Sequence, residues 1–484
     1  MSPIDLAIVV AYIAGCTALG ARIGSKAQGL KGYFLGESDI PAWAVMLSIV
    51  ATETSTATFL SVPGVAYRGD FTYLQLALGY MLGRVVVAVV LLPSYFRGEI
   101  YTAYEVLQKR FGGPTRTTAS LLFLATRSMA DGLRLFLAAT VLQQLTGWPI
   151  AASIGVVGSI TVVYTFLGGM KAVIWTDVIQ FAIYIAGAIV ALGILAGKLP
   201  GGMTGLVESA RAGGKLRMFD FTFDLTRPFT FWSGLIGGMV LNTATHGADQ
   251  MMVQRYLSAR SQRQAAGALV ASGFVIFAQF ALFLFIGASL WVFYGMYPPD
   301  ASLRPDQRFT YFIVHYLPTG VLGLVVAAIF SAAMGTLAGS LNASASTFVN
   351  DLYRPLTKSA DERHLLRVSR GVTVAWGLVL MGVALAATGM KSTVVENALA
   401  IASFTTGIVL GLFLLGILTR RVGQASALTG MVAGVSAVSY AKFGTSLAWP
   451  WYALVGSSTV YAVGLTASYL LSKSPAFRVV EAPI

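Results

Sequence analysis

Residues 48–64 read Ser-Ile-Val-Ala-Thr-Glu-Thr-Ser-Thr-Ala-Thr-Phe-Leu-Ser-Val-Pro-Gly and lie inside a long apolar segment. A lipid-facing helix would not place Glu53 there, because a charge near the bilayer centre costs about 3 kcal/mol or more. The hydroxyls can satisfy backbone groups that a helix break frees, and Pro63-Gly64 can break the helix. Broken helices at membrane depth are tolerated only when they are buried in protein or line a cavity. The stretch therefore predicts a discontinuous helix that binds a small polar ligand; a kinked helix with back-bonded hydroxyls is the alternative.

The composition is that of a polytopic all-α membrane protein. Of the 484 residues, 56% are hydrophobic and 11% are charged, whereas soluble domains carry about 25% charged residues. The 52 glycines allow close helix packing where no hydrophobic force drives it. The single cysteine, Cys16, excludes an intramolecular disulfide and a thiolate metal cluster. The N-terminus lacks a basic segment and a cleavage site, so we expect its first helix to be retained.

Thirteen apolar windows are long enough to span the hydrocarbon core of a bilayer. They are residues 4–22, 40–67, 72–97, 117–146, 149–169, 172–197, 229–253, 265–296, 309–350, 368–389, 393–418, 422–441 and 448–472. Loops after the odd-numbered windows hold twenty lysines and arginines, and the opposite set holds ten. The positive-inside rule then predicts an outside N-terminus and a cytoplasmic C-terminus in the cell membrane. It also explains the net charge of +13 without a nucleic-acid partner.

Span counting divides the chain into five parts. Residues 1–39 form a first helix and a cytoplasmic loop, 198–228 an extracytoplasmic loop, and 419–484 two further helices with a tail. The segments 40–197 and 229–418 hold five spans each, and an odd number of spans reverses the direction of the chain. The two segments are therefore expected to be inverted five-helix repeats, a known transporter architecture in which the first helix of a repeat is broken.

Two further segments carry polar groups at membrane depth. In 160–182, Gly168-Gly169 indicates a tight turn, and Asp177 falls in the helix that follows. An intramembrane acid is a functional hypothesis by default, although a structural pair with a nearby donor is the alternative. In 331–351, small and hydroxylated residues fill a helix on which Thr336 and the Ala332 carbonyl share one face. Such oxygens suit a hard cation, and a small-residue packing helix is the alternative.

Together these pieces resemble the sodium/solute symporters, a family that includes sodium-coupled sugar, proline, sialic acid, iodide and monocarboxylate carriers. The resemblance covers roughly residues 35–425. Its motifs are the hydroxyl-rich stretch ending in Val-Pro-Gly, Tyr-Thr-Phe-Leu-Gly-Gly-Met-Lys-Ala-Val-Ile-Trp-Thr-Asp, Asp-Gln-Met-Met-Val-Gln-Arg-Tyr-Leu, and Ser-Leu-Asn-Ala with Asp-Leu-Tyr downstream. The resemblance implies a LeuT-like inverted repeat with flanking helices and a sodium site between the broken first core helix and the eighth.

Carried onto this chain, the sodium site uses the carbonyls of Ala51, Thr54 and Ala332 and the hydroxyl of Thr336. The preceding position, usually a serine in the family, is Gly335 here, so one hydroxyl is missing. A second sodium site in some members uses serines that are Ala338 and Gly339 here, and we therefore expect one sodium ion per cycle. The resemblance places Asp177 on the route of ion entry or release.

Substrate ligands are expected on several elements. Glu53, Ser55 and Thr58 occupy positions of the broken helix that face the substrate in relatives, and Asn242 matches a ligand asparagine of sugar carriers. The aromatic gate that follows in those carriers is Thr245 here, with His246 as its neighbour, which weakens a sugar assignment. His246 is expected to donate or accept a hydrogen bond and not to bind a metal. Further lining groups are predicted at Gln75 and Tyr80.

Arg84, Arg127 and Arg134 lie within apolar windows. They either neutralise acids such as Glu53 and Asp131, or one of them meets an anionic substrate; buried charges are normally paired. If Arg134 faces the cavity, its planar fork suits a carboxylate. The predicted substrate is thus a small organic anion such as a monocarboxylate, with sugars ranking second and amino acids third.

The sequence predicts a symporter that uses sodium, not an enzyme. A membrane enzyme would need a nucleophile with its base or a metal cluster, and the motifs offer neither. No Gly-Lys-Ser/Thr phosphate loop is present, which argues against ATP drive. A solute sensor of the same fold is the alternative from another class, and the short C-terminal tail without a kinase region is expected to argue against it.

Overall fold

The computed structural model describes residues 2–24, 29–97, 100–298, 303, 307–357, 361–389 and 394–471. The helices before the midpoint are α1 Pro3–Gly24, α2 Gly29–Leu35, α3 Ala42–Glu53, α4 Thr56–Arg68, α5 Leu74–Val86, α6 Leu92–Tyr95, α7 Tyr104–Phe111, α8 Gly113–Thr146, α9 Ile150–Gly197 and α10 Gly202–Ala212. Those after it are α11 Gly238–Gly247, α12 Gln250–Leu257, α13 Gln262–Met296, α14 Arg308–Tyr316, α15 Val321–Thr347, α16 Arg354–Thr357, α17 Glu362–Ala386, α18 Val394–Leu418, α19 Gln424–Gly444 and α20 Tyr452–Leu471. Within the described ranges, the isolated bridge between Ile40 and Ala259 is the one β pairing.

Short irregular turns join several of these helices. Single π-helical turns at Val87–Leu91, Ser233–Gly237 and Phe348–Tyr353 extend α5, precede α11 and follow α15. Turns of 3-10 helix lie at Gly36–Ser38, Phe71–Tyr73, Ala387–Gly389 and Trp449–Trp451. The chain is therefore all-α, as its composition predicts.

Each predicted apolar window coincides with one or two described helices, and one window differs in its extent. The window 309–350 joins two separate helices. Its first part is the short helix α14, and the long apolar helix α15 begins only at Val321. Seven described helices are long and apolar enough to cross a membrane, or nine if each of two bent pairs is one span. The count of thirteen and the orientation of the termini stay predictions, as does the division into two inverted repeats.

The predicted turn at Gly168-Gly169 is confirmed. Gly169 has φ 58° and ψ −171°, which divides α9 into two helical halves. A side chain there would be strained by the positive φ, and its Cβ would also lie 2.9 Å from the Tyr33 carbonyl oxygen. The turn sets the second half of α9, which carries Asp177, against α3 and α15.

The core contains two large apolar clusters. Phe59, Phe283 and Phe309 belong to one cluster, and Ile49 and Met251 belong to the other. The boundary crosses α3 between Ile49 and Val50, which are in different clusters. Polar side chains of α3, α9, α13 and α15 are buried as well, so the interior of the helix bundle is not purely apolar.

Outside the apolar clusters, Lys215 links the loop after α10 to the end of α4 by hydrogen bonds. Its ammonium donates hydrogen bonds to the carbonyl oxygens of Tyr67, at 2.9 Å, and Gly69, at 2.8 Å. It also lies 5.0 Å from the centre of the Trp291 ring. Burial lowers the pKa of Lys215, because the charged form loses hydration. These bonds satisfy carbonyls at the C-terminus of α4.

Candidate functional site

The helix predicted to be discontinuous is broken at Thr54 and Ser55. Both residues have extended backbone conformation, and the two helical halves are bent by 61°. The expectation of a break at Pro63-Gly64 is wrong, because Pro63 lies inside α4. A proline removes one backbone donor, whereas the break at Thr54 is held by side chains. The Thr54 hydroxyl donates to the Val50 carbonyl at 2.9 Å and accepts from the Gln279 amide at 2.5 Å.

The end of α3 lies against the middle of α15. The Thr336 hydroxyl is 3.2 Å from the Thr52 carbonyl oxygen and 3.3 Å from the Ala332 carbonyl oxygen. Of the predicted sodium ligands, Ala332 and Thr336 are thus in direct contact. Ala51 and Thr54 flank Thr52 and are buried with it. The carbonyl that meets Thr336, that of Thr52, is one that the sequence did not single out.

Two side chains of α9 fill the space beside Gly335. A Cβ atom at Gly335 would lie 2.5 Å from Oε1 of Gln180 and 3.0 Å from Oδ1 of Asp177. Neither that Asp177 oxygen nor the Gln180 amide has a hydrogen-bond partner among the described residues, although buried polar groups are normally paired. Unpaired oxygens beside Thr336 are the donor set that a hard cation prefers. Sequence reasoning missed Gln180, although it lies three residues after Asp177, on the same face of α9.

The other oxygen of Asp177 is held in a buried network. Oδ2 accepts from the Ser48 hydroxyl at 2.6 Å and from NH2 of Arg255 at 3.0 Å. Arg255 Nε also donates to Ser48 at 2.9 Å. A side chain at Gly339 would meet this guanidinium, with its Cβ 2.7 Å from NH2. Asp177 therefore has the structural donor that was the alternative to an ion route, and it keeps one free oxygen toward Gly335; its role in ion entry or release stays a prediction.

On the other side of the break, Glu53 forms an ion pair with Arg84. Arg84 also donates through Nε to the Ser272 hydroxyl at 3.0 Å and through NH1 to the Tyr80 carbonyl at 3.3 Å. The Nε2 atom of His246 lies 3.4 Å from Glu53. Glu53, Arg84 and His246 thus form one cluster of α3, α5 and α11.

Nδ1 of His246 lies 2.9 Å from the Tyr256 hydroxyl. Both ring nitrogens of His246 therefore have protein partners, as expected of a hydrogen-bonding group.

The remaining predicted substrate residues lie at three places. Ser55 and Thr58 stand at the first turn of α4, where the Ser55 N–H donates to the Thr58 hydroxyl at 3.4 Å. Asn242 is buried against α5, and its amide oxygen has no partner within the described ranges. Gln75 instead donates to the Phe229 carbonyl at 3.2 Å and accepts from the Asp220 N–H at 3.0 Å. These bonds hold the loop before α11, and a substrate role for Gln75 stays a prediction.

The three arginines in apolar windows are all paired with acids. Arg84 is paired with Glu53, and Arg134 with Asp131. Arg127 lies 2.7 Å from Asp131 and 3.1 Å from Asp249. Arg134 is therefore already bound to a carboxylate of the protein itself, and contact with a substrate would require that pair to part.

A helix broken at membrane depth, with unpaired oxygens beside it, defines a secondary transporter that couples a solute to a cation. The model of the sodium:solute symporter family matches residues 33–434, and the chain belongs to that family. It is a transporter and not an enzyme, sodium is its coupling ion, and it is a multi-pass membrane protein.

Three known proteins illustrate the relationship. The chain is 31% identical to human sodium-coupled monocarboxylate transporter 1 over 432 residues, which covers 88% of this chain and 70% of that protein. It is 29% identical to the human sodium/iodide cotransporter over 460 residues, covering 92% and 70% of the two chains. A solved outward-open, substrate-bound Na+-coupled sialic acid symporter superposes with a TM-score of 0.89 at 28% identity, covering 97% of this chain and 98% of that one. The LeuT-like fold that the resemblance implied is thereby confirmed.

Proposed function

We propose that this protein imports a small organic anion, with monocarboxylates ranking first, together with one sodium ion by alternating access. The observation that carries the proposal is the break between α3 and α4, where Thr336 lies 3.2 Å from the Thr52 carbonyl. The break creates two helix ends of opposite character at one depth. The C-terminus of α3 presents carbonyl oxygens, and the N-terminus of α4 presents N–H groups.

Sodium is bound at the carbonyl end. The proposed ligands are the carbonyls of Ala51, Thr54 and Ala332 and the hydroxyl of Thr336. Gln180 is proposed to supply the oxygen that Gly335 lacks, since its Oε1 would be 2.5 Å from a Cβ at that position. The helix dipole places partial negative charge at the end of α3, which favours a cation. Asp177, with one free oxygen beside Gly335, adds the negative charge that attracts the ion.

The anion is bound at the amide end. The first N–H groups of α4 and the hydroxyls of Ser55 and Thr58 are donors that suit a carboxylate, and a helix N-terminus attracts anions. Glu53 would repel an anion if it stood alone. Its pairing with Arg84 cancels that charge. The N-terminus of α4 therefore determines that the preferred ligand is negatively charged.

The relatives support an anion over a neutral solute. Their names specify monocarboxylates and iodide, and a third transports sialic acid. A sugar is the second candidate, because the unpaired oxygen of Asn242 accepts a hydrogen bond from a hydroxyl but not from a carboxylate.

Membrane potential separates the two candidates. One sodium ion moving with a monoanion carries no net charge, so the potential adds nothing to its accumulation. One sodium ion moving with a sugar carries one charge, which yields about 2.3 kcal/mol per 100 mV.

The test is uptake into proteoliposomes under an inward sodium gradient, with labelled propionate, glucose and proline offered separately. We expect sodium-dependent accumulation of propionate that a valinomycin-imposed potential does not change. Potential-driven accumulation of glucose would favour the sugar candidate. Uptake of propionate that proceeds equally with potassium in place of sodium would refute the proposed coupling.

A further inference from the structure

A stripe of polar side chains runs along α15 and the π-helical turn that follows it, beyond the sodium site. Thr336, Ser340, Ser344, Thr347 and Asp351 recur every three or four residues and so share one face of the helix. All five are buried. The stripe extends 15 residues, about 22 Å at the rise of an α-helix, toward the end of α15 that we predict to be cytoplasmic.

Two hydroxyls in the middle of this stripe lack partners. Ser344 and Thr347 make no hydrogen bond to any part of the chain that the structure describes, whereas the Ser340 hydroxyl lies at the Asp131 carboxylate. Serine and threonine inside a helix commonly bond to the carbonyl four residues earlier, as Ser369 and Thr373 of α17 do here. Two successive buried hydroxyls of the stripe without a partner, Ser344 and Thr347, indicate a ligand that visits them.

The stripe faces α8. Asp351 accepts a hydrogen bond from the Ser120 hydroxyl at 2.7 Å, and Ser340 lies beside Asp131. Ser340 and Asp351 are 11 residues apart, and so are Ser120 and Asp131. The two helices therefore run antiparallel in constant register. The interval corresponds to about 16 Å. Ser344 and Thr347 lie between its ends, in the seam where α15 packs on α8.

Each end of this seam is closed by an acid and its arginine. At the end near the sodium site, Asp131 is paired with Arg127, at 2.7 Å, and with Arg134. At the far end, Asp351 accepts from Arg116 Nε at 2.8 Å and from the Thr102 hydroxyl at 2.6 Å. Buried charges of this kind are paired because an isolated one is costly.

We propose that the seam between α8 and α15, from Ser340 to Asp351, is the route by which sodium leaves the site at Thr336. The inference rests on the proposed function. Hydroxyl and carboxylate oxygens are the ligands of a hard cation, and Ser340 lies one turn, about 6 Å, beyond Thr336. Single oxygens at this spacing suit an ion that exchanges ligands one at a time. Asp131 and Asp351 receive it as their arginines swing away.

The test is cysteine accessibility in the transporting protein. In a Cys16→Ala background, Ser344→Cys and Thr347→Cys are placed in the seam, and Ala345→Cys, buried in the neighbouring apolar cluster, is the matched control. Reconstituted protein is exposed to 2-aminoethyl methanethiosulfonate, a small cation, on each side of the membrane in turn. We expect both seam cysteines to react from the Asp351 side roughly tenfold faster than the control, and added sodium to slow the reaction.

Equal reaction rates at the three positions would overturn the route. If one seam variant does not transport, the other carries the comparison. The pair Ser344→Ala and Thr347→Val is measured as well, and should lower maximal uptake while the half-saturating sodium concentration stays unchanged. Unchanged maximal uptake in both also contradicts the route. Uptake by the unsubstituted protein that needs no sodium refutes the proposed function, whereas sodium-dependent uptake with unreactive seam cysteines refutes the route alone.

Discussion

Two acid–arginine pairs flank the broken helix, and they differ in their access to solvent. The Asp177 and Arg255 side chains are both 0% exposed, and Ser48 bridges them. Glu53 is 16% exposed, although its partner Arg84 is fully buried. The first pair joins α9 to α12 beside the proposed sodium ligands, and the second joins α3 to α5 beside His246. In the proposed mechanism, the first pair holds the sodium site in place and the second balances the charge of the substrate site.

The largest expected effect is a difference in stability between variants of Arg255 and Arg84. Arg255→Met leaves the Asp177 carboxylate buried without its partner, which costs about 3–5 kcal/mol. Arg84→Met leaves Glu53 without its ion-pair partner, but Glu53 is partly exposed and can regain water. The loss of unfolding free energy should therefore be clearly smaller. Thermal unfolding of the purified variants measures both. Equal losses would show that exposure does not distinguish the pairs.

Asp177→Asn should slow sodium-driven uptake roughly tenfold, about 1.4 kcal/mol in activation free energy. The amide keeps an oxygen for Ser48 and removes the charge proposed to attract sodium. Initial rates of uptake at varied sodium give the result, with thermal unfolding as the control for folding. Kinetics like those of the unsubstituted protein would remove Asp177 from the ion route.

Glu53→Gln should act on the substrate and leave sodium largely unaffected. The change removes the partner charge of Arg84, so a monoanion should bind severalfold more tightly or its release should slow. Half-saturating propionate and half-saturating sodium are measured in parallel. A shift in sodium alone would place Glu53 in the ion site instead.

A smaller effect tests how this chain compensates for Gly335. A serine there would place its Cβ 2.5 Å from Gln180 Oε1, and overpacking costs about 1–3 kcal/mol. Gly335→Ser should raise the half-saturating sodium concentration, and adding Gln180→Ala should restore it in part. Tighter sodium binding by Gly335→Ser alone would contradict the role given to Gln180.

The sequence contained most of the fold and part of the site. Hydroxyls and Glu53 at membrane depth predicted a broken helix, and Gly168-Gly169 predicted the turn in α9, because such residues have few other physical solutions in lipid. The sequence did not locate the break. Pro63 was the strongest local signal, but Gln279 of α13 holds the Thr54 hydroxyl 2.5 Å away, and a contact between distant elements is not encoded locally.

The same limit applies to the side chains that surround the site. The pairing of Arg84 with Glu53 was one of two alternatives for an intramembrane arginine, and only the packing of both α3 and α5 on α13 selects it. Gln180 could have been found from its position one turn after Asp177. Arg255 could not have been found from the sequence, because its position against Gly339 depends on how α12 packs on α15.

The central claim is that Thr336 completes a sodium site at the end of α3. The most direct measurement is the sodium dependence of uptake by Thr336→Ala, compared with Thr373→Ala, which removes a buried hydroxyl bonded within α17. We predict that Thr336→Ala raises the half-saturating sodium concentration roughly tenfold, about 1.4 kcal/mol, and that the control leaves it unchanged. A Thr336→Ala variant with the original sodium dependence would contradict the account.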